Sequence, residues 1–446
     1  MIGIRGHAWF FFKGDKPFAL WMCVAFAFLL TQMYLNTGTL SAYAVTLENP
    51  FVCEGYIVNY DYTHYECNYR FIMGEPAGEW AWGWVLRRVL FFILSYPWFW
   101  LFGFYKGGLV SAFIITIVSF YSFTGFVYRH VGRYAAFAVM ALLATYPGIM
   151  YWIGSPFAQV MIVPCCCWLY MLLWNMDRTS NLGRQLVLLF FASVLFTAYD
   201  LLAFFYPAIL LLYFRRRQWW PMLLSFPVMA APQVLIVYWL HARGAGELPS
   251  ENSGLYLGIL RAYGQVNDPG EWLTLLAQVP YEFVLSFFKS GFIVLPLLFL
   301  ILVFAGYKRG FRLDHIEASL LLVALFIFLF NNLAPPYALG TSLRGSWISR
   351  IYQPLFVVMI MYIARLVEQL KGKSGIMRRI FLVLVAGCVV LNLIINTGAV
   401  YKSALTQRAW HGFYDHSQEG TMIRNLDTFG IRPLGFPHPA LHPSRQ

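Results

Sequence analysis

Residues 84–104, Trp84 through Phe104, read WVLRRVLFFILSYPWFWLFGF. The stretch is apolar, and about twenty such residues suffice to cross a bilayer core. If it crosses, every later loop changes sides. It carries Arg87, Arg88 and Pro97, and Trp80, Trp82, Trp84, Trp98 and Trp100 crowd around it. Tryptophan favours the membrane–water boundary, and helices lying flat there expose basic and aromatic residues. The stretch therefore reads as an interfacial helix, not a span.

The rest of the chain is built for lipid. Of 446 residues, 60% are hydrophobic and 12% charged, with mean hydropathy +0.61; soluble domains carry about 25% charge. Candidate spans are Phe18–Leu35, Leu109–Tyr128, Tyr134–Ile153, Phe157–Trp174, Leu186–Tyr199, Leu201–Phe214, Met222–Leu240, Val284–Tyr307, Ala318–Leu333, Pro354–Arg365 and Ile380–Thr397. This predicts an all-α polytopic integral membrane protein with about eleven transmembrane helices. Alternate loops collect the basic residues: Arg129 and Arg133; Arg178 and Arg184; Arg215, Arg216 and Arg217; Lys308, Arg309 and Arg312; Lys371, Lys373, Arg378 and Arg379. Two of the intervening loops, Gly154-Ser155-Pro156 and the Tyr199-Asp200 turn, have no Lys or Arg. Basic loops stay on the cytoplasmic side, so the N-terminus is expected inside and the tail from about Gly398 outside. The net charge of +12 then reports topology and gives no reason to expect nucleic acid. Arg5, Lys13 and Lys16 precede a first span without a small-residue cleavage site, so that span is expected to remain as an anchor.

On this scheme residues 36–105 form a large outer loop with juxtamembrane helices, and residues 241–283 form a second outer loop. Both belong to a membrane module over residues 1–400, followed by a short outer tail over 401–446. Over about residues 36–83 the first loop gathers Glu48, Glu54, Asp61, Glu66, Glu75 and Glu79 against a single Lys or Arg, Arg70. At its centre stands Asp61-Tyr62-Thr63-His64-Tyr65. Ionisable groups near lipid are costly and usually functional, so this loop is the first place to look for chemistry. Asp61, His64 and Glu66 read either as a polar loop face or as ligands of a divalent cation. Asp200, at the turn between two short spans, reads either as a solvated loop acid or as an acid lining a cavity. Cys53 and Cys67 lie in the acidic loop and read either as a disulfide or as two thiols; Cys23, Cys165, Cys166, Cys167 and Cys388 read as small core hydrophobes. The tail histidines His411, His416, His438 and His442 show no zinc spacing. The chain contains no phosphate-binding loop, dinucleotide fingerprint or zinc-protease motif.

The order of these features resembles the GT-C class of membrane glycosyltransferases, which includes the aminoarabinose lipid A transferases and the protein O-mannosyltransferases. An inside N-terminus and one span lead to an outer loop with Asp61-Tyr62-Thr63-His64-Tyr65 and then Gly74. Interfacial helices, several spans and a short paired span follow. Trp347-Ile348-Ser349-Arg350-Ile351-Tyr352-Gln353-Pro354 resembles the Arg/Tyr/Pro entry to a late span in that class. The likeness covers roughly residues 1–220 and more thinly 318–400. It departs where Tyr62 replaces the usual Glu and Asp200 replaces a common Lys. A weaker resemblance, to EpsG-like exopolysaccharide polymerases, rests on the loop Asp and Tyr and on Glu79-Trp80-Ala81-Trp82-Gly83-Trp84.

The resemblance implies an inverting glycosyltransferase. It would move a sugar from a polyprenyl-phosphate donor to a cell-envelope acceptor: a lipid-linked glycan, a lipid or an exported protein such as a pilin. The enzyme would sit in the bacterial inner membrane with its site facing the periplasm. Asp61 is expected to take the acceptor's proton, with Glu79 as the second acid. Arg87, Arg88, Arg344 and Arg350 form the pool of phosphate contacts, with Tyr65, His64, Asp200 and Tyr352 as further substrate-binding residues. The cofactor stays open, a divalent cation being one reading. Two alternatives remain: an exopolysaccharide or O-antigen polymerase, and a flippase or transporter of lipid-linked saccharide. The transporter is disfavoured because its acids would lie mid-span with matching helix interruptions in two repeats, whereas this chain keeps its acids in outer loops and shows no repeat.

Overall fold

The computed structural model describes residues 15–44, 65, 68–75, 86, 88–153, 158–244, 268–274, 276–277, 293–307, 310–332, 353–370 and 375–414. Helices dominate them, and among the described residues there is no strand. In chain order the helices are α1 (Lys16–Ala44), α2 (Val89–Gly103), α3 (Gly107–His130), α4 (Arg133–Thr145), α5 (Pro147–Ile153), α6 (Ile162–Arg178), α7 (Leu182–Phe196), α8 (Tyr206–Arg215), α9 (Trp219–Ala242), α10 (Val294–Tyr307), α11 (His315–Asn332), α12 (Gln353–Gln369) and α13 (Ile376–Tyr414). Short 3₁₀ segments, Ala158–Met161 and Asp200–Phe205, introduce α6 and α8.

Four stretches are long and apolar enough to cross a membrane: Gly107–His130, Ala158–Arg178, Trp219–Ala242 and Arg379–Gly398. Two of them, Trp219–Ala242 and Arg379–Gly398, leave most of their surface exposed. Along α9, Trp220, Val234 and Tyr238 are exposed, a surface costly in water and suited to acyl chains. By contrast α12 is buried nearly all round and packs against α4, α6, α10 and α11. A helix apolar on every side belongs at the centre of a bundle, and α12 is the one the others surround. The described residues are thus all-α, with four helices long and apolar enough to cross a membrane.

Within Trp84–Phe104, α2 is a separate helix. Gly103 leaves helical geometry with φ 76° and ψ 171°, a region open to glycine at little cost. The Ser95 hydroxyl donates to that of Ser111 at 2.8 Å; sixteen residues along one straight helix would separate them by about 24 Å. So α2 folds back against the start of α3. A Cβ on Gly107 would stand 2.3 Å from the Trp98 carbonyl oxygen, so the approach requires glycine there as well.

The basic loops share one end of the bundle. Asp15 pairs with Arg133 at 3.0 Å and accepts from Tyr128. Glu368, at the end of α12, accepts from the first amides of α4, Tyr134 at 2.8 Å and Ala135 at 3.0 Å. Arg216 donates to the Met176 carbonyl, and His315 meets Asp177 at 2.9 Å.

Several expectations need correction. The stretch expected as one span over Tyr134–Ile153 breaks at Tyr146, which is extended (φ −73°, ψ 120°). Its neighbour Pro147 disfavours helical geometry in the residue before it. The second of the short paired spans begins as the 3₁₀ segment Asp200–Phe205. Helix α13 runs past Gly398 to Tyr414. Cys23 is exposed, whereas Cys165, Cys166, Cys167 and Cys388 are buried as expected. Acids are not confined to the outer loops, since Asp15, Asp177, Asp314, Glu317 and Glu368 lie at the basic end.

Candidate functional site

The opposite end of the bundle is built around Arg88, the residue that leads into α2. Its φ of −82° and ψ of 46° bring the chain into the helix. The side chain is 4% exposed. Burying a guanidinium is costly unless polar groups and ring faces replace its water, and here they do. It donates to the Tyr65 hydroxyl, and its central carbon lies 4.2 Å from the Tyr199 ring centroid and 5.8 Å from that of Tyr65.

Three separate pieces of chain meet at this point. Tyr65, buried, comes from the acidic loop and sits against Phe91 and Phe92 of α2, at 5.7 Å and 6.0 Å between centroids. Tyr199 comes from the turn after α7, extended at φ −160° before Asp200 opens the 3₁₀ segment. The Leu90 amide donates to the Thr197 carbonyl at 3.4 Å, joining the start of α2 to that turn. The acidic loop's Arg70 is engaged locally by Glu75 at 3.4 Å; an exposed pair of this kind contributes about 0–1 kcal/mol.

From Val89, the residue after Arg88, runs an apolar groove of about 440 Å³. Tyr69, Ile72, Val89, Phe92 and Tyr96 form one wall, and Leu235, Ile236 and Trp239 of α9 the other. Leu86 packs on Leu240 beyond it, with Phe71 and Ile72 against the pair. Burial pushes the Tyr69 phenol above its ordinary range, and Tyr96 and Glu75 add to the shift. The result is a slot of hydrocarbon character that starts one residue along the chain from the enclosed Arg88 guanidinium.

Of the sequence-predicted site residues, the structure brings Tyr65 and Arg88 together. It sets the backbone of Asp200 one residue from Tyr199. Asp61, His64, Glu79, Arg87, Arg344, Arg350 and Tyr352 lie outside the described residues, as do Cys53 and Cys67. Among the described residues no cluster of three or more His, Cys, Asp or Glu side chains is arranged to hold a metal ion.

Two features went unrecognised in the sequence. Tyr199 was visible only as part of a turn, although an aromatic ring beside an acid at a tight interfacial turn is a fair signal. The second is Glu317, fully buried at the basic end. It takes a two-pronged contact from Arg365, Nε to Oε1 at 2.7 Å and Nη2 to Oε2 at 2.5 Å. The Asp314 amide donates to Oε2 at 3.0 Å and the Tyr170 hydroxyl to Oε1 at 3.4 Å. Asp314-His315-Ile316-Glu317 has the spacing of an N-terminal capping box, and that spacing was the available signal. No protein-family model, no curated protein and no solved structure matches the chain.

Proposed function

We propose that the protein is an inverting membrane glycosyltransferase that uses a polyprenyl-phosphate sugar on the outer face of the bacterial inner membrane. The observation that carries this reading is the adjacency of the buried Arg88 cluster and the apolar groove. A lipid-phosphate donor needs those two features side by side: hydrocarbon for the isoprenoid and fixed positive charge for its phosphate. In this reading about eleven helices span the membrane, the basic end faces the cytosol and the Arg88 end faces out.

The chemistry is a single displacement. The acceptor hydroxyl oxygen attacks the anomeric carbon as its proton passes to the Asp61 carboxylate. The bond from that carbon to the phosphate oxygen breaks, and the polyprenyl phosphate leaves with the electron pair. Arg88 balances the charge that develops on it, Glu79 orients the acceptor, and attack opposite the leaving group inverts the anomeric centre. The acceptor is a lipid-linked glycan, a lipid or an exported protein; a growing glycan chain would make the enzyme a polymerase.

Purified protein in lipid nanodiscs, given a defined polyprenyl-phosphate sugar and an envelope extract, tests this by release of polyprenyl phosphate. Asp61→Asn is expected to abolish release while leaving the protein in the membrane; full turnover by that variant would remove Asp61 as the base. A second reading, transport of lipid-linked saccharide, draws on the helix interruption at Tyr146–Pro147, a feature common at transporter sites. Movement of intact donor across reconstituted vesicles, without bond cleavage, would favour it over transfer.

A further inference from the structure

The basic end of the bundle carries cations that its own contacts do not use. The α6–α7 and α8–α9 turns lie side by side there. The buried Gln185 side chain donates to the Thr179 carbonyl at 2.7 Å and to the Gln218 side-chain oxygen at 3.1 Å. Arg216 donates to the Met176 carbonyl at 3.2 Å and stands 4.0 Å from Asp177, whose carboxylate also meets His315 at 2.9 Å. The acid of the α6–α7 turn is therefore engaged. Arg184 and Arg217, the chain neighbours of the two bonded glutamines, are exposed, and so is Arg215. Among the described residues no carboxylate pairs with any of these three.

Arg184 and Arg217 both sit where local structure disfavours them. Arg217 has φ 55°. Its amide donates to the Phe214 carbonyl and the Gln218 amide to the Tyr213 carbonyl, each at 3.0 Å. Those two bonds close α8 through a left-handed residue, a place that glycine fills at least cost. Arg184 is the third residue of α7, and its amide donates to the Asn181 cap at 2.9 Å. A cation there meets the positive end of the helix dipole. Membrane topology calls for basic residues in such loops, but not at these two positions. An anion shared by the two side chains would compensate both.

Exposed apolar surface runs on from each arginine. Val187 and Phe191 follow Arg184 on one face of α7, and Trp219, Leu223 and Phe226 share one face of α9. Gln185 meets Gln218, and the Ser193 hydroxyl donates to the Met229 carbonyl at 2.7 Å, so the two helices run parallel. Trp219 packs edge-on against Phe214 at 5.8 Å between centroids, both rings being exposed. Tryptophan favours the headgroup level, and Trp219 opens a stretch long and apolar enough to cross a membrane. A free phosphate ion would leave this hydrocarbon surface unused, whereas a two-chain lipid covers it.

We infer that residues 181–184 and 215–218 form a docking site for an anionic phospholipid, with its phosphate between Arg184 and Arg217 and its acyl chains along α7 and α9. The site is separate from the groove at Arg88 and does not depend on the transferase reading.

Native mass spectrometry of the full chain, released from detergent micelles titrated with phosphatidylglycerol, tests this, with phosphatidylcholine as the neutral control. Phosphatidylglycerol is expected to stay bound at concentrations where phosphatidylcholine does not. Arg184→Gln combined with Arg217→Gly is expected to weaken it about ten-fold or more. Glycine suits the left-handed turn, so the thermal midpoint of Arg217→Gly in phosphatidylcholine nanodiscs is expected to be no lower than that of wild type. Arg217→Asn, which also accepts that conformation, is the second variant and is expected to lose the lipid equally. Arg312→Gln combined with Arg379→Gln removes the same charge from two other exposed positions and is expected to change binding less than about two-fold. The proposal is overturned if phosphatidylglycerol is held no better than phosphatidylcholine, or if the changes at Arg184 and Arg217 leave binding intact. It is overturned equally if the Arg312 and Arg379 changes weaken binding as much, since the lipid would then answer only to the overall charge of that end.

Discussion

At Arg88 the charge, the hydroxyl of Tyr65 and the ring of Tyr199 replace the water a guanidinium would hold at the surface. Arg88→Ala removes both the charge and the packing that draws the acidic loop onto α2; release of polyprenyl phosphate should fall about 100-fold or more, as expected for the loss of a fixed charge opposite a leaving group. Arg88→Lys keeps a positive charge but loses the planar fork and the ring stacking, so its rate should fall between those of Ala and wild type. A lysine variant no better than alanine would mean that geometry, not charge, is what the site needs. At the other end, Glu317 and Arg365 form a pair with one partner wholly buried. Breaking such a pair from one side strands a charge at a cost of about 3–5 kcal/mol, while replacing both partners by apolar groups is often neutral. Glu317→Leu should therefore lower the thermal midpoint sharply, and Glu317→Leu combined with Arg365→Met should recover much of the loss. Equal damage from the single and double changes would show that the pair itself is not what holds α11 to α12.

Elements were legible where one physical signal dominated. The apolar runs that became α3, α6, α9 and α13 could be read from length alone, because a bilayer demands it. The separate status of α2 could be read from the conflict between its apolar core and its Arg, Pro and Trp content. What the sequence hid were interruptions and ends. Pro147 sits inside an unbroken apolar run, so the extended Tyr146 before it was masked by hydropathy, and Glu317 drew no notice because the apolar run begins one residue later. Nor could spacing reveal that Ser95 would meet Ser111, since that contact depends on the reversal at Gly103. The reversal is itself testable. Gly107→Val would force a side chain into the Trp98 backbone, where nothing can yield as a flexible tip would. It should destabilise the protein by several kcal/mol, within the range of overpacked cores and strained backbones. Val110→Ala, three residues along the same helix, should cost much less by the same thermal assay. Equal tolerance of both changes would mean that α2 does not lie against α3.

For the whole molecule the deciding pattern is electrostatic. Helix after helix begins or ends at the face where Arg133, Arg178, Arg216 and Arg365 cluster with Asp15, Asp177, Glu317 and Glu368. The Arg88 end has its cation enclosed by aromatic rings. In the proposed reading the basic end faces the cytoplasm, because cytoplasmic loops carry the Lys and Arg excess, and Arg88, Tyr65 and the groove face outward. A cysteine introduced at Arg217, in the α8–α9 turn at the basic end, should then be labelled in intact cells only after the membrane is made permeable. A cysteine introduced at Glu75, next to the exposed Arg70, should react from outside with an impermeant maleimide. The two positions are coupled, because an odd number of crossings separates them: reversing the molecule would exchange the two results, and an extra crossing by α2 would put both on one side. Only the first pattern leaves Arg88 where a sugar carrier that has reached the outer leaflet can meet it. Labelling of the Arg217 position from outside would remove the transferase reading whatever the chemistry at Arg88.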